Sequence, residues 1–343
     1  MALPNPQFMA QEAAASLELL HLATGYWISQ SLSVAAALGI ADALKDGPRS
    51  IDELAGMTNT HGPTLFRLMR ALASVGVFTQ TTSGCFALTP LARPLQRGTW
   101  GSLRAVVLQM GSTYRWQPWG ALLHSVRTGE PAFAHVFGRQ VFDYYAHNPD
   151  AAALFQDAMS EIAALVAPAV AAAYDFTDVE QVVDVGGGYG ALLTAVLQAH
   201  PHLQGVLFET PAVGAEATRR LAAANVAARC SVVGGDFFAA VPSGGDLYLL
   251  QFILHDWDDE RALTILRNCR RAMGPQSRLL LIETLIPPGD TPMLGKLLDL
   301  EMLVICGGRE REEAEYQALL AAAGFTYLRT IPTLAPLSIL ESR

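Results

Sequence analysis

Residues Gln181–Gly190 read QVVDVGGGYG. An apolar run around a single acid, Asp184, reads as a buried strand. The glycines behind it mark a tight turn where the backbone must come close to something. The following ALLTAVLQAH has helical spacing. Strand, Gly-rich turn and helix open a nucleotide-binding βαβ unit. About twenty residues on, a second apolar run, Gly205–Phe208, ends in Glu209. A carboxylate at the tip of the second strand is placed to hold ribose hydroxyls. The bland reading is a turn that binds nothing, and the position of Glu209 weighs against it.

The turn alone admits more than one nucleotide. Gly186, Gly188 and Ala191 satisfy G-x-G-x-x-A, which also suits a dinucleotide and an NAD(P)-dependent oxidoreductase. Asp184 points elsewhere, because a nicotinamide site usually has an apolar residue there. The unit also begins only after half the chain has passed. The acid-x-Gly-x-Gly-x-Gly run resembles motif I of the class I S-adenosylmethionine-dependent methyltransferases. The ligand this implies has an adenosine, no pyrophosphate, and an ammonium that can use a nearby acid.

With 343 residues the chain is long enough for two domains and a sizeable core. Hydrophobic residues make up 51% and charged residues 16%, as in a well-buried globular protein with an apolar subunit interface. There is no run of 18 apolar residues, so no membrane span is expected. The start, MALPNPQFMAQEAAA, lacks the features of a signal peptide. The four cysteines form no C-x-x-C pair, which fits a reducing cytoplasm. No H-x-x-x-H or H-E-x-x-H spacing occurs, and no catalytic metal is expected.

Residues 14–46 read as two helices apolar on most faces, which need cover. A second subunit is the natural cover, giving a homodimer. Ser50 can cap a short helix IDELAGMT, and Pro63 starts another, TLFRLMRALASVG. Two strand-like runs joined through Ser83-Gly84 follow, completing a winged helix. That shape allows DNA binding and a ligand-responsive transcription regulator. Charge argues against it: residues 1–100 hold six basic and six acidic side chains, while a DNA reader needs a basic footprint. No nucleic-acid partner is expected. Residues 101–175 read as an aromatic-rich helical linker that contributes to a substrate pocket. From residue 176 to 343 strands and helices alternate, with seven strands and a closing hairpin, a Rossmann-like α/β domain.

The stretch FILHDWDDERALTILRNCRRAM (252–273) resembles the signature of the small-molecule O-methyltransferases, plant caffeate and flavonoid enzymes and bacterial antibiotic- and phenazine-pathway enzymes among them. The resemblance runs over almost the whole chain: dimerisation module at 1–100, linker helices, catalytic domain. VGGDFF (233–238), LLLIETLIP (279–287) and GGRER (307–311) follow in family order. It implies that Asp184, Gly186 and Gly188 face the methionine part of S-adenosylmethionine, with Ser160 nearby. Glu209 and Thr210 fall at the ribose, Asp236, Phe237 and Trp257 at the adenine. Gln251 stands where plant members often have Lys. His255 matches the catalytic base, with Glu283 and Glu310 flanking and orienting it. Trp116, Phe155, Met159, Asp256, Glu301, Met302 and Ile305 fall in the acceptor pocket, where Glu301 could bond a second hydroxyl.

The implied reaction needs these groups. Displacement at a sulfonium carbon gives S-adenosylhomocysteine, a good neutral leaving group, so positioning supplies much of the rate. A phenol with pKa about 10 needs a base near neutrality, and a histidine with pKa about 6.5 can serve. A carboxylate on its other nitrogen fixes the tautomer. The expected acceptor is a planar phenol of bacterial secondary metabolism, such as a hydroxyphenazine or an aromatic polyketide.

Overall fold

The computed structural model describes residues 6–343. The first five residues of the stretch read for a signal peptide lie outside it. By contact density the chain forms two units, Met1–Thr113 and Tyr114–Arg343.

The first unit holds α1 (Pro6–Ala23), α2 (Gly25–Leu38), α3 (Ile40–Ala43), α4 (Ile51–Thr58) and α5 (Gly62–Ser74). The hairpin β1 (Phe78–Gln80) and β2 (Phe86–Leu88) follows, then α6 (Arg104–Gly111). α4 starts where its sequence says it should: Ser50 accepts from the Glu53 N–H and Glu53 bonds back to the Ser50 N–H, a reciprocal cap. Phe78 pairs with Leu88 across the hairpin, so the winged helix read from the sequence is present. Ile40, Leu54, Met69, Phe78 and Phe86 build its core. α1 is left out of that core. Leu17, Leu19, Leu20 and Leu22 are all more than half exposed.

The second unit begins with α7 (Thr113–Gly120), α8 (Leu122–Thr128), α9 (Ala132–Phe137), α10 (Val141–His147) and α11 (Pro149–Ala173). β3 (Gln181–Val185), α12 (Ala191–Ala199), β4 (Gln204–Glu209), α13 (Pro211–Ala223) and β5 (Cys230–Gly234) come next. Then follow β6 (Leu247–Gln251), α14 (Asp259–Ala272), β7 (Arg278–Glu283), α15 (Leu294–Ile305), α16 (Glu313–Ala322), β8 (Tyr327–Pro332) and β9 (Ser338–Ser342). The sheet order is β5-β4-β3-β6-β7-β9-β8, parallel except where β9 joins β7 and β8. This is the seven-stranded Rossmann-like α/β arrangement expected from residue 176 onward.

Alternate strand residues face opposite cores. Val182, Leu207, Leu249 and Leu280 pack against α11, α12 and α13, while Val183, Phe208, Leu250 and Leu281 pack against α14 and α16. α11 is long and apolar enough to cross a membrane by length and composition alone. Here its Val166, Ala167, Val170 and Ala171 are buried in the sheet core. The chain runs outward from β3 to β5 and then crosses back to β6. The order of strand addition reverses between β3 and β6, and ligands of such sheets bind outside the strand ends at that point.

Candidate active site

Every strand end in that crevice carries a residue singled out in the sequence. The Gly-rich turn leaves β3, Glu209 ends β4, Asp236 and Phe237 follow β5, Gln251 ends β6 and Glu283 ends β7.

The turn is built for a close approach. Gly186, Gly188 and Gly190 all have positive φ, which only glycine takes without strain. A Cβ on Gly186 would lie 2.6 Å from the Ile253 side chain. One on Gly187 would fall on the Asp184 carboxylate, and one on Gly188 would sit 3.2 Å from Gln156 Oε1 of α11. Asp184 is 1% exposed, and neither of its oxygens has a well-formed hydrogen bond, the Leu193 N–H being the one donor near it. Burial, and then the Glu209 charge, push its pKa up to about 7. A buried carboxylate without well-formed hydrogen bonds calls for a cationic or donor ligand. Glu209 is held above the usual carboxylate range by burial, while the Thr210 N–H donates to its Oε2. The Phe238 N–H donates to the exposed Asp236. Gln251 Nε2 is buried without a partner. An orphaned acid beside a bare backbone turn, with a second acid at the next strand tip, fits the ammonium and ribose of S-adenosylmethionine.

His255 sits in a one-turn helix, Leu254–Asp256, that follows β6. It is 7% exposed. Its Nδ1 is 2.7 Å from Glu310 Oε1. Glu283, expected to flank and orient the ring, flanks it without a hydrogen bond: its Oε2 is 3.9 Å from Nδ1. Its Oε1 instead accepts from the N–H groups of Ile253 and Leu254, at 3.3 and 3.1 Å. It thus caps the turn that carries His255 and adds charge to the cluster. Asp256 Oδ1 lies 3.7 Å from Nε2. Burial opposes charge on the ring, but Glu283, Glu310 and Asp256 outweigh it and push the His255 pKa up to about 10. Burial above all raises Glu283 to about 7.

The three side chains His255, Glu283 and Glu310 each place a ligand atom within 4.8 Å of the others. Such a set could also hold a cation, a possibility that sequence spacing could not reveal because three separate segments of the chain supply it.

The acceptor-side residues divide into two groups. Phe155 of α11 stacks on Tyr145 at 4.8 Å, and Phe142 stacks on Trp257 at 5.2 Å. Trp257 meets Phe237 and Phe238 edge-on, so aromatic rings run from α11 to the expected adenine site. Met159 and Ser160 follow Phe155 along α11, and Trp116 of α7 is 40% exposed. Met302 and Ile305 are buried on α15. Glu301, expected to bond a second hydroxyl, also has protein partners. Its carboxylate lies 2.7 Å from the buried Arg115 and accepts from Trp119 Nε1, while its Oε1 has no hydrogen-bond partner. Arg115 and Trp119 were not singled out in the sequence, because a lone Arg in an aromatic stretch carries no periodic signal. Phe252 was missed too. It takes φ +53°, costly for a bulky residue by about 1–2 kcal/mol, and its ring stacks on His255 at 5.6 Å.

Residues 119–326 match the O-methyltransferase domain, and residues 20–97 match the O-methyltransferase dimerisation domain. The chain belongs to the O-methyltransferase family. It is 48% identical over 325 residues to the phenazine O-methyltransferase of Lysobacter antibioticus, covering 95% of each chain. It is 40% identical to the mitomycin biosynthesis 6-O-methyltransferase of Streptomyces lavendulae, covering 99% of this chain and 98% of the relative. Among solved structures, the O-methyltransferase of neocarzinostatin biosynthesis superposes with TM-score 0.77 at 35% identity, over 92% of this chain and 95% of that one. That protein was crystallised with S-adenosylmethionine and 2-hydroxy-5-methyl naphthoic acid. The oxidoreductase and the regulator, both open on the turn and the winged helix alone, gain no support from these matches.

Proposed function

We propose that this protein transfers the methyl group of S-adenosylmethionine to a hydroxyl of a planar, polycyclic aromatic acceptor in bacterial antibiotic biosynthesis. The observation that carries this reading is His255 with its Nδ1 bonded to Glu310, so that Nε2, 3.7 Å from Asp256, is the nitrogen that accepts a proton once the ring is deprotonated. A ring nitrogen acceptor needs no base, whereas a phenol does, so the buried base favours oxygen. The relatives named for phenazine and mitomycin pathways support the acceptor class.

S-Adenosylmethionine supplies an electrophilic methyl group. Asp184 would hold its ammonium, Glu209 the ribose, and Asp236, Phe237 and Trp257 the adenine. Gln251, Thr210, Gly186, Gly188 and Ser160 line the same path. Trp116, Phe155, Met159, Met302 and Ile305 would enclose the acceptor, with Asp256 beside the transferred proton. Glu310 fixes the tautomer and stabilises the imidazolium formed as the hydroxyl proton moves to Nε2. Glu283 holds the backbone of the turn. Incubation with methyl-labelled cofactor and a panel of hydroxyphenazines and hydroxynaphthoates, read by mass spectrometry, tests the reading. Label appearing on nitrogen or carbon would defeat it. Turnover should survive exhaustive chelation, because the Glu310 bond already engages Nδ1.

The exposed apolar face of α1 and the dimerisation match support a homodimer. Light scattering should report twice the chain mass at micromolar concentration, and a monomer there would refute the dimer. Unbridged cysteines fit a cytoplasmic enzyme.

A further inference from the structure

The largest fully buried side chain that the mechanism leaves unused is Arg311, at 0% exposure. Its guanidinium has five N–H donors in a rigid fork. All five are taken. Nη1 donates to the carbonyls of Leu254, at 2.9 Å, and Arg309, at 3.4 Å. Nη2 donates to the Trp257 carbonyl and to Asp259 Oδ1, at 2.9 and 2.8 Å, and Nε donates to the same carboxylate oxygen at 3.1 Å. The ring of Tyr316 lies 5.7 Å from its Cζ.

The choice of acceptors matters. Leu254 precedes His255 and Trp257 follows it by two residues, so the fork grips the His255 turn on both sides. Arg311 also directly follows Glu310. The two loops are sealed at a second point, where the Arg309 N–H donates to the His255 carbonyl at 2.8 Å. Between these contacts Gly308 packs so closely that a Cβ would fall on the backbone of His255 and Asp256. The Arg311 carbonyl in turn accepts from Ile286, three residues beyond Glu283.

We propose that Arg311 is a positioning residue, whose fork clamps the loop carrying Glu310 onto the turn carrying His255 and so sets the base against its carboxylate. The inference rests on reading His255 as the base. A lysine cannot replace the clamp, since one ammonium has three donors at a single point and cannot span two carbonyls and a carboxylate. Small misplacements of a catalytic group can lower rates by about 10²-fold.

The test is kcat against pH for Arg311→Lys, made in the native sequence and in His255→Ala. Acting through His255, the change should lower kcat by about 10- to 100-fold in the native background and less than about twofold in His255→Ala. The groups facing the imidazole are Glu310 from its loop, Glu283 from β7 and Asp256 from the same turn. Loosening Glu310 removes one that holds the proton on, so the acidic limb should move to lower pH even as the rate falls. Equal losses in both backgrounds, or an unmoved limb, overturn the role of Arg311 and leave the base reading intact. Near-normal turnover of His255→Ala alone defeats the base reading, and this inference with it. Should Arg311→Lys not fold, Asp259→Ala is read the same way. It removes a half-exposed acceptor of two of the five bonds, with an expected loss of about two- to tenfold in the native background only.

Discussion

His255→Ala should lower kcat by about 10²–10⁴, the usual contribution of a positioned proton transfer. The imidazole is buried and its Nδ1 is held by Glu310, which on the proposed reading leaves Nε2 for the acceptor's proton. The pH profile distinguishes this role from packing. A free imidazole titrates near 6.5. Here burial alone would lower that value, but Glu283, Glu310 and Asp256 reverse the effect and raise it to about 10. The base form therefore grows as pH rises, and kcat/KM, which reports the free enzyme, should climb well above pH 7. The limb should vanish in His255→Ala. In Glu310→Gln it should move down, because removing a neighbouring negative charge releases the proton more easily. Adding Glu310→Gln to His255→Ala should change little, as for groups that act as one unit. A His255→Ala enzyme with native turnover at pH 7 would mean that the acceptor ionises unaided.

What the sequence made legible follows from how local each signal is. The strands β3, β4 and β7 appear as apolar runs, and Gly186 or Glu209 mark their ends, so the crevice could be placed from pattern alone. His255, Glu283 and Glu310 came from short motifs in three separate segments. Their division of labour was not visible, because it depends on which oxygen reaches which nitrogen. Glu283 stands 3.9 Å from the ring and spends its other oxygen on two backbone N–H groups. Arg115 lies 186 residues from Glu301, and nothing in either segment announces the pair. Phe252 was hidden for a related reason: its left-handed φ, directly after β6, is a backbone property that composition does not encode. Residues 14–46, read as two apolar helices, hold the end of α1 and all of α2 and α3, so composition signalled helix there but not its bounds.

Asp184→Asn should separate cofactor binding from stability by moving them in opposite directions. Asp184 is buried and its carboxylate has no well-formed hydrogen bond. Desolvation, then Glu209, raise its pKa from 3.8 to about 7. A carboxyl whose folded pKa lies above its unfolded value stabilises the fold below the unfolded value, and that contribution is lost as pH rises through about 7. At about 1.4 kcal/mol per pKa unit, the ionised group destabilises the free protein at pH 8–9 by roughly 4 kcal/mol. Asn keeps the shape and never ionises, so the variant should melt at higher temperature than the native protein at pH 8–9 and nearly alike at pH 4. Binding should go the other way. A cofactor ammonium pairs with a carboxylate but not with an amide, and loss of a charge-assisted bond costs about 1.5–3 kcal/mol, or about 10- to 150-fold in affinity. The proton is the deciding readout. At pH 6 the native Asp184 is mostly protonated, and pairing with an ammonium drives the proton off. Calorimetry in buffers of different ionisation enthalpy should therefore show proton release on S-adenosylhomocysteine binding in the native protein and much less in Asp184→Asn. If the variant binds as tightly as the native protein, or if neither releases a proton, Asp184 does not face the ammonium.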